Sequence, residues 1–210
     1  MIHFVGAGPG APDLITLRGK SYLEQADVII YAGSLVNPAL LEYAKEGCQV
    51  YNSATMTLDE VIEVMDAAEK DGKTTVRLHT GDPAIYGAIR EQIDRLDALG
   101  YEHDVTPGVS SAFGTAAALQ AEYTLPNVSQ SVIFTRMEGR TPMPPKQSIE
   151  EFAAHHATMV IFLSAGMLDT LSAQLIAGGY EPETPAALVY KATWPDQKVV
   201  SGTVAELAEM

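Results

Sequence analysis

The chain has 210 residues, 47% of them hydrophobic, a formal net charge of −14 and a single cysteine, Cys48. That apolar content suits one large or two small domains. The acidic balance argues against a nucleic-acid or anionic-membrane surface, and one cysteine excludes an intrachain disulfide.

No apolar run nears the roughly 18 to 20 residues that span a bilayer. The opening Met1-Ile2-His3-Phe4 lacks the charged segment of a signal peptide, so a cytoplasmic protein is the expectation. Residues 2–5 predict a strand. The following Gly6-Ala7-Gly8-Pro9-Gly10 predicts a tight turn into a helix through Leu14, Leu17 and Leu23. Pro9 and Pro12 each remove an N–H that a phosphate cradle would use, so the turn suits close approach better than anion binding. A dinucleotide fold would also want an acid after the next strand; residues 27–31 run instead into Ala32-Gly33-Ser34-Leu35.

Residues 38–44 predict a short helix, 49–51 a strand and 58–70 an amphipathic helix ended by Asp71-Gly72. The strand at 74–79 stops at Thr80-Gly81-Asp82-Pro83. A helical spacing of Ile85, Ile89, Ile93 and Leu96 begins at once, placing a carboxylate where open α/β sheets bind ligands. A strand at 102–105 precedes Pro107-Gly108-Val109-Ser110-Ser111 and a helix rich in small residues at 112–119. Alternating strands and helices favour a largely parallel sheet.

Residues 122–129 have loop composition and mark the expected junction between domains 1–121 and 122–210. Beyond it come a strand at 131–136, a Pro- and Gly-punctuated loop carrying Arg136 and Arg140, a capped helix from Ser148 and an apolar strand at 158–163. A helix at 167–177 follows, then strands at 186–191 and 198–201 around the hairpin loop Thr193-Trp194-Pro195-Asp196-Gln197, and a helical start from Thr203. The second domain is therefore expected to mix strand directions. His155 and His156, adjacent on an extended chain, would point apart, and no histidine shows metal-ligand spacing, so no metal site is predicted.

Phe4-Val5-Gly6-Ala7-Gly8-Pro9-Gly10, Tyr31-Ala32-Gly33-Ser34-Leu35-Val36, Thr80 to Gly87, Pro107 to Ser111 and Thr135-Arg136-Met137-Glu138-Gly139-Arg140-Thr141-Pro142 stand in the order seen in the tetrapyrrole methylases. The chain resembles that family over nearly its whole length, and most closely its precorrin-4 and cobalt-precorrin-4 C11-methyltransferase branch. The resemblance implies two α/β domains, the first with a mostly parallel and the second with a mixed sheet. It also implies a homodimer, with S-adenosylmethionine as cofactor, S-adenosylhomocysteine as product and a corrinoid tetrapyrrole as substrate in cobalamin biosynthesis.

Carried onto this sequence, the cofactor contacts are Pro9, Gly81, Asp82, Ile85, Ser110, Ser111, Leu163 and Ala192. Ser34, Tyr86, Arg136 and Arg140 are candidates for the substrate, with Lys191 and Tyr31 behind them. No residue is assigned as a catalytic base, because a sulfonium methyl is already activated and alignment can carry much of the acceleration. Family members usually continue past the last residue here, so the second domain is expected to be incomplete. The alternatives are methylation at another ring carbon, a nicotinamide-dependent oxidoreductase, and a non-catalytic cofactor-binding homologue.

Overall fold

The structure, a computed structural model, describes residues 1–210 with the exception of the Ser34 side chain. By its contacts the chain forms two compact units: Met1–Gly114 with Lys191–Asp196, and Thr115–Tyr190 with Gln197–Met210. Relative to the expected domains 1–121 and 122–210, residues 115–121 and 191–196 fall on the other side.

The first unit is built on five strands, β1 (Ile2–Gly6), β2 (Val28–Tyr31), β3 (Gln49–Asn52), β4 (Thr75–His79) and β5 (His103–Thr106), in the order β3-β2-β4-β1-β5. All neighbours pair in parallel, with Ile2 opposite both Thr75 and His103. Helices α1 (Leu17–Gln25), α2 (Leu58–Lys70) and α3 (Ile89–Leu99) cover the two faces. Side chains alternate across a strand, and the core follows that period. Ile2, Phe4, Val28 and Ile30 meet Val61, Ile62 and Met65 of α2 and Leu96 of α3. Val5, Ile29, Val76 and Leu78 face the other way, onto Leu23 of α1 and Leu40. With both faces covered, the central strands β1, β2 and β4 are almost wholly buried, whereas the edge strands β3 and β5 stay partly exposed.

Two expected helices are 3-10 turns instead, at Pro38–Tyr43 and Val204–Glu209. The helix expected straight after Asp82-Pro83 opens later, at Ile89, because Tyr86 and Ala88 adopt left-handed backbone at φ 56° and 50°. Gly87 between them is folded against Pro83 so closely that a Cβ would lie 2.2 Å from the Pro83 carbonyl oxygen. The periodicity at Ile85 thus overran a turn that only local backbone sterics reveal.

Helix α4 (Ser111–Leu119) contains the division between the units. In the second unit β6 (Val132–Arg136) pairs in parallel with β7 (Thr158–Phe162), and β8 (Pro185–Tyr190) pairs antiparallel with β9 (Lys198–Thr203). Both strand senses are present, in two separate pairs rather than one sheet. Helices α5 (Ile149–Ala153) and α6 (Leu168–Ala177) bury Ile149, Ala153, Leu171 and Leu175 against Met137, Val204 and Leu207. Ser148 and Glu151 form a reciprocal capping box that starts α5. His155 and His156 follow in a turn, not on extended chain; His156 sits at φ 49° with its ring 5.8 Å from that of Tyr180.

Candidate active site

Adjacent strands β1 and β4 send their chains to opposite faces of the sheet, β1 into α1 and β4 into α3. Their carboxyl ends therefore flank the crevice in which open α/β sheets bind ligands. There the two loops are knitted together: Gly81 N–H donates to Gly8 O at 2.9 Å and Gly8 N–H to Gly81 O at 3.3 Å. The loop after β5 joins them through Asp82. One carboxylate oxygen of Asp82 accepts the Ala84 N–H at 2.8 Å and the other accepts the Gly108 N–H at 2.9 Å.

Such backbone contact requires glycine on both sides. A Cβ on Gly6 would lie 2.5 Å from Gly108 Cα, and one on Gly108 would lie 2.1 Å from Gly81 O. At Gly81, φ 60° places a Cβ position 3.5 Å from Ser110 Cα and 3.6 Å from Ser111 N, so the Gly-Asp-Pro and Ser-Ser segments adjoin. Ser110 is buried and its Oγ accepts the Ala112 N–H. Ile85 is half-buried and donates its N–H to Asp82 O, while the Tyr86 side chain is exposed.

Pro9 and Ala192 belong to the same unit. Pro9 lies against Gly114, and buried Ala192 belongs to a strap, residues 191–196, that lies on the first loop. A Cβ on Gly10 would meet the Trp194 indole at 2.2 Å and Ala192 O at 2.9 Å. The Ala11 N–H donates to Thr193 Oγ1 at 2.9 Å. Lys191 Nζ is 2.7 Å from Asp196 and 5.3 Å from the Trp194 ring centre, so the strap itself engages this cation.

Leu163, Arg136 and Arg140 belong to the second unit. Leu163 follows β7 at φ 56° with its side chain 70% exposed, an apolar group held outward on strained backbone of the kind that gathers at ligand sites. Arg136 donates to the carbonyls of Met137, Thr141 and Pro142, binding together the loop that carries exposed Arg140. Ser164 fixes the root of that loop by accepting the Met137 N–H and donating to Phe162 O. The side chain of Ser34 lies outside the described residues.

The donor set decides what the crevice can hold. Residues 6–13, 80–87 and 106–111 contain Asp13 and Asp82 but no lysine or arginine, and Pro9, Pro12, Pro83 and Pro107 lack N–H groups. That chemistry fits a cationic ligand with an apolar body and does not fit a polyphosphate. Among the described residues no cluster of His, Cys, Asp and Glu is arranged for a metal, and no helix is long and apolar enough to cross a membrane.

Sequence reasoning missed His79 and Trp194. Burial, and then the charge of Arg77, pulls His79 down to about 3, so the ring is neutral; its Nε2 is buried without a partner among the described residues. Only the two-residue period of β4, which puts Arg77 and His79 on one face, could have signalled it; the β1 register brings Phe4 alongside. Trp194 is the chain's only tryptophan, but nothing in a hairpin loop's composition says that it will lie on Gly10.

A sheet of this order, with Gly-x-Gly-Pro-Gly and Gly-Asp-Pro loops tied at the switch point, defines a methylase of the tetrapyrrole type. The profile of the Tetrapyrrole (Corrin/Porphyrin) Methylases matches residues 1–208. The chain belongs to this family, which comprises S-adenosylmethionine-dependent C-methyltransferases.

It is 58% identical over 99% of its length to the cobalt-precorrin-4 C(11)-methyltransferase of Methanocaldococcus jannaschii, covering 80% of that protein. It is 46% identical over 98% of its length to the enzyme of the same name from Priestia megaterium, covering 80% of that one. The X-ray structure of a cobalamin biosynthetic enzyme, cobalt-precorrin-4 methyltransferase, superposes with a TM-score of 0.96 at 45% identity, covering 99% of this chain and 87% of that one. Uroporphyrin-III C-methyltransferase from Thermus thermophilus, complexed with S-adenosylhomocysteine, gives a TM-score of 0.83 at 25% identity and covers 99% and 85%.

Proposed function

We propose that this chain transfers a methyl group from S-adenosylmethionine to C11 of precorrin-4 or cobalt-precorrin-4 in cobalamin biosynthesis. The observation that carries the reading is 58% identity extending over 99% of the chain to a cobalt-precorrin-4 C(11)-methyltransferase. The crevice supports it with a carboxylate, proline and glycine surfaces and no basic side chain in its three loops.

Pro9, Gly81, Asp82, Ile85, Ser110, Ser111 and Ala192, with Leu163 of the second unit, are our cofactor-binding residues. When bound, the sulfonium supplies an activated methyl. The chain's contribution is then to bind, orient and exclude water, and no covalent nucleophile is needed. Asp82 ties the loop after β4 to the loop after β5 and brings a negative charge to the crevice, which is a positioning role and not that of a base. Arg140 and Arg136 are our substrate candidates, because guanidinium forks match the carboxylates of a corrinoid and offset the −14 charge of the protein, with Tyr86 and Ser34 as weaker candidates for the trough. The same reading carries a homodimer acting in the cytoplasm, which light scattering and cell fractionation would check.

Incubation with carbon-13 methyl-labelled S-adenosylmethionine and either precursor, followed by NMR location of the new methyl, tests the proposal. Methyl at C11 supports it. Methyl at another ring carbon would move the chain to a different branch of the family, and cofactor binding without turnover would make it a non-catalytic homologue.

A further inference from the structure

On the α2/α3 face of β4, the structure buries a positive charge that nothing in the crevice uses. Arg77 is 7% exposed. Its Nε donates to Gln92 Oε1 at 3.0 Å and its Nη1 to Ile30 O at 3.1 Å. Gln92 is held in place by its own bond from Nε2 to Ala88 O at 3.1 Å. Both partners of the guanidinium are neutral, and Nη2 donates to no described residue. A buried cation without a counter-charge is costly, so its retention calls for an anion.

Beside Arg77 lies a cavity of about 170 Å³ whose polar lining is Ser53, Thr57 and Gln92, with Ala88, Met56, Leu58 and Val61 forming its apolar wall and exposed Glu91 also at it. Two helices begin at this cavity. Helix α2 starts at Thr57 with a closed capping box, whereas α3 starts at Ala88 with no side-chain cap. The positive end of α3 and its first N–H groups therefore add to the field of Arg77. Glu91 opposes that field, but from an exposed position where solvent screens it.

We propose that this cavity is a carboxylate subsite in which Arg77 receives one carboxylate-bearing arm of the corrinoid substrate. The unused edge of the guanidinium is a planar donor that matches a carboxylate better than a bulkier or neutral group. The volume admits a short arm and excludes a macrocycle. The proposal rests on the corrinoid reading above for the source of the carboxylate, but not for its chemistry.

The test has two arms. In the first, acetate is titrated into the full chain while the Arg77 Nε–H and the Gln92 side-chain amide are followed by nitrogen-15 NMR. A saturable shift is expected in the wild type, and it should vanish in Ser53→Leu, which fills the cavity without touching the guanidinium's partners. In the second, Arg77→Gln and Ser53→Leu should raise the KM for the corrinoid roughly 10- to 100-fold while S-adenosylhomocysteine affinity stays within about twofold.

Absence of a saturable shift at Arg77 in the wild type overturns the subsite, whether or not Arg77→Gln folds. A shift accompanied by unchanged corrinoid KM in both variants overturns the assignment to the substrate. Wild-type protein that neither binds S-adenosylhomocysteine nor transfers methyl would instead sink the functional reading, and the acetate arm would still decide the cavity.

Discussion

Asp82 accepts the backbone N–H of Gly108 at 2.9 Å, joining the loop after β4 to the loop after β5. The same carboxylate caps Ala84 with its other oxygen, so one side chain organises both walls of the crevice. Asp82→Ala removes both bonds and the charge. We expect S-adenosylhomocysteine affinity to fall roughly 10- to 100-fold and stability to fall by about 1–3 kcal/mol, because two N–H groups lose a charged acceptor. Asp82→Asn can still accept one of the two and should recover part of the stability but less of the affinity. Isothermal calorimetry and thermal unfolding read the two effects separately; unchanged affinity in Asp82→Ala would remove Asp82 from the cofactor site.

The contact between Gly6 and Gly108 gives a second expectation. A methyl group on Gly108 would fall 2.1 Å from Gly81 O, which is backbone and has nowhere to yield. Gly108→Ala should cost about 1–3 kcal/mol as an overpacking change and spread the three loops. By contrast, Gly139→Ala, where a Cβ meets nothing within 4 Å, should be nearly neutral. Denaturant unfolding of the pair checks this, and hydrogen exchange at Gly8 and Gly81 should rise only in Gly108→Ala.

Arg136 and Arg140 should separate kinetically. Arg140 is exposed, so Arg140→Ala should raise the corrinoid KM with little change in stability. Arg136 holds the carbonyls of Met137, Thr141 and Pro142, so Arg136→Ala should raise KM and also loosen residues 137–142. Steady-state kinetics with limited proteolysis distinguish the two. If both variants keep wild-type KM, this loop does not bind the substrate.

Much of this was legible in the chain because its signals are local. The strands at residues 2–5 and 28–31 announced themselves as short apolar runs, and Gly81-Asp82-Pro83 marked a strand-to-helix edge that the strand order makes a switch point. What stayed hidden is non-local. The pairing of Asp82 with Gly108 spans 26 residues and that of Ala11 with Thr193 spans 182, and no periodicity encodes either. The late start of α3 was hidden for a different reason: the spacing of Ile85 and Ile89 fits a helix, but Tyr86 and Ala88 take left-handed backbone that a pattern of apolar residues does not register.

The neutral His79 makes stability depend on pH in a calculable direction. Burial, and next the neighbouring Arg77, lowers its folded value to about 3, whereas an unfolded histidine titrates near 6.5. Between these values the unfolded chain binds a proton that the folded chain does not. Stability is therefore fully present above about pH 6.5 and is lost as pH falls toward 3, at a slope approaching 1.4 kcal/mol per pH unit. The carboxylates lowered by hydrogen bonds or ion pairs, Asp27, Glu60, Asp66 and Asp94, add acid sensitivity only below their ordinary range. The interval from about pH 5 to 6.5 thus separates His79 from these carboxylates. His79→Gln, neutral at every pH, should flatten the unfolding free energy across that interval in urea titrations; a slope that survives the substitution would place the proton uptake elsewhere.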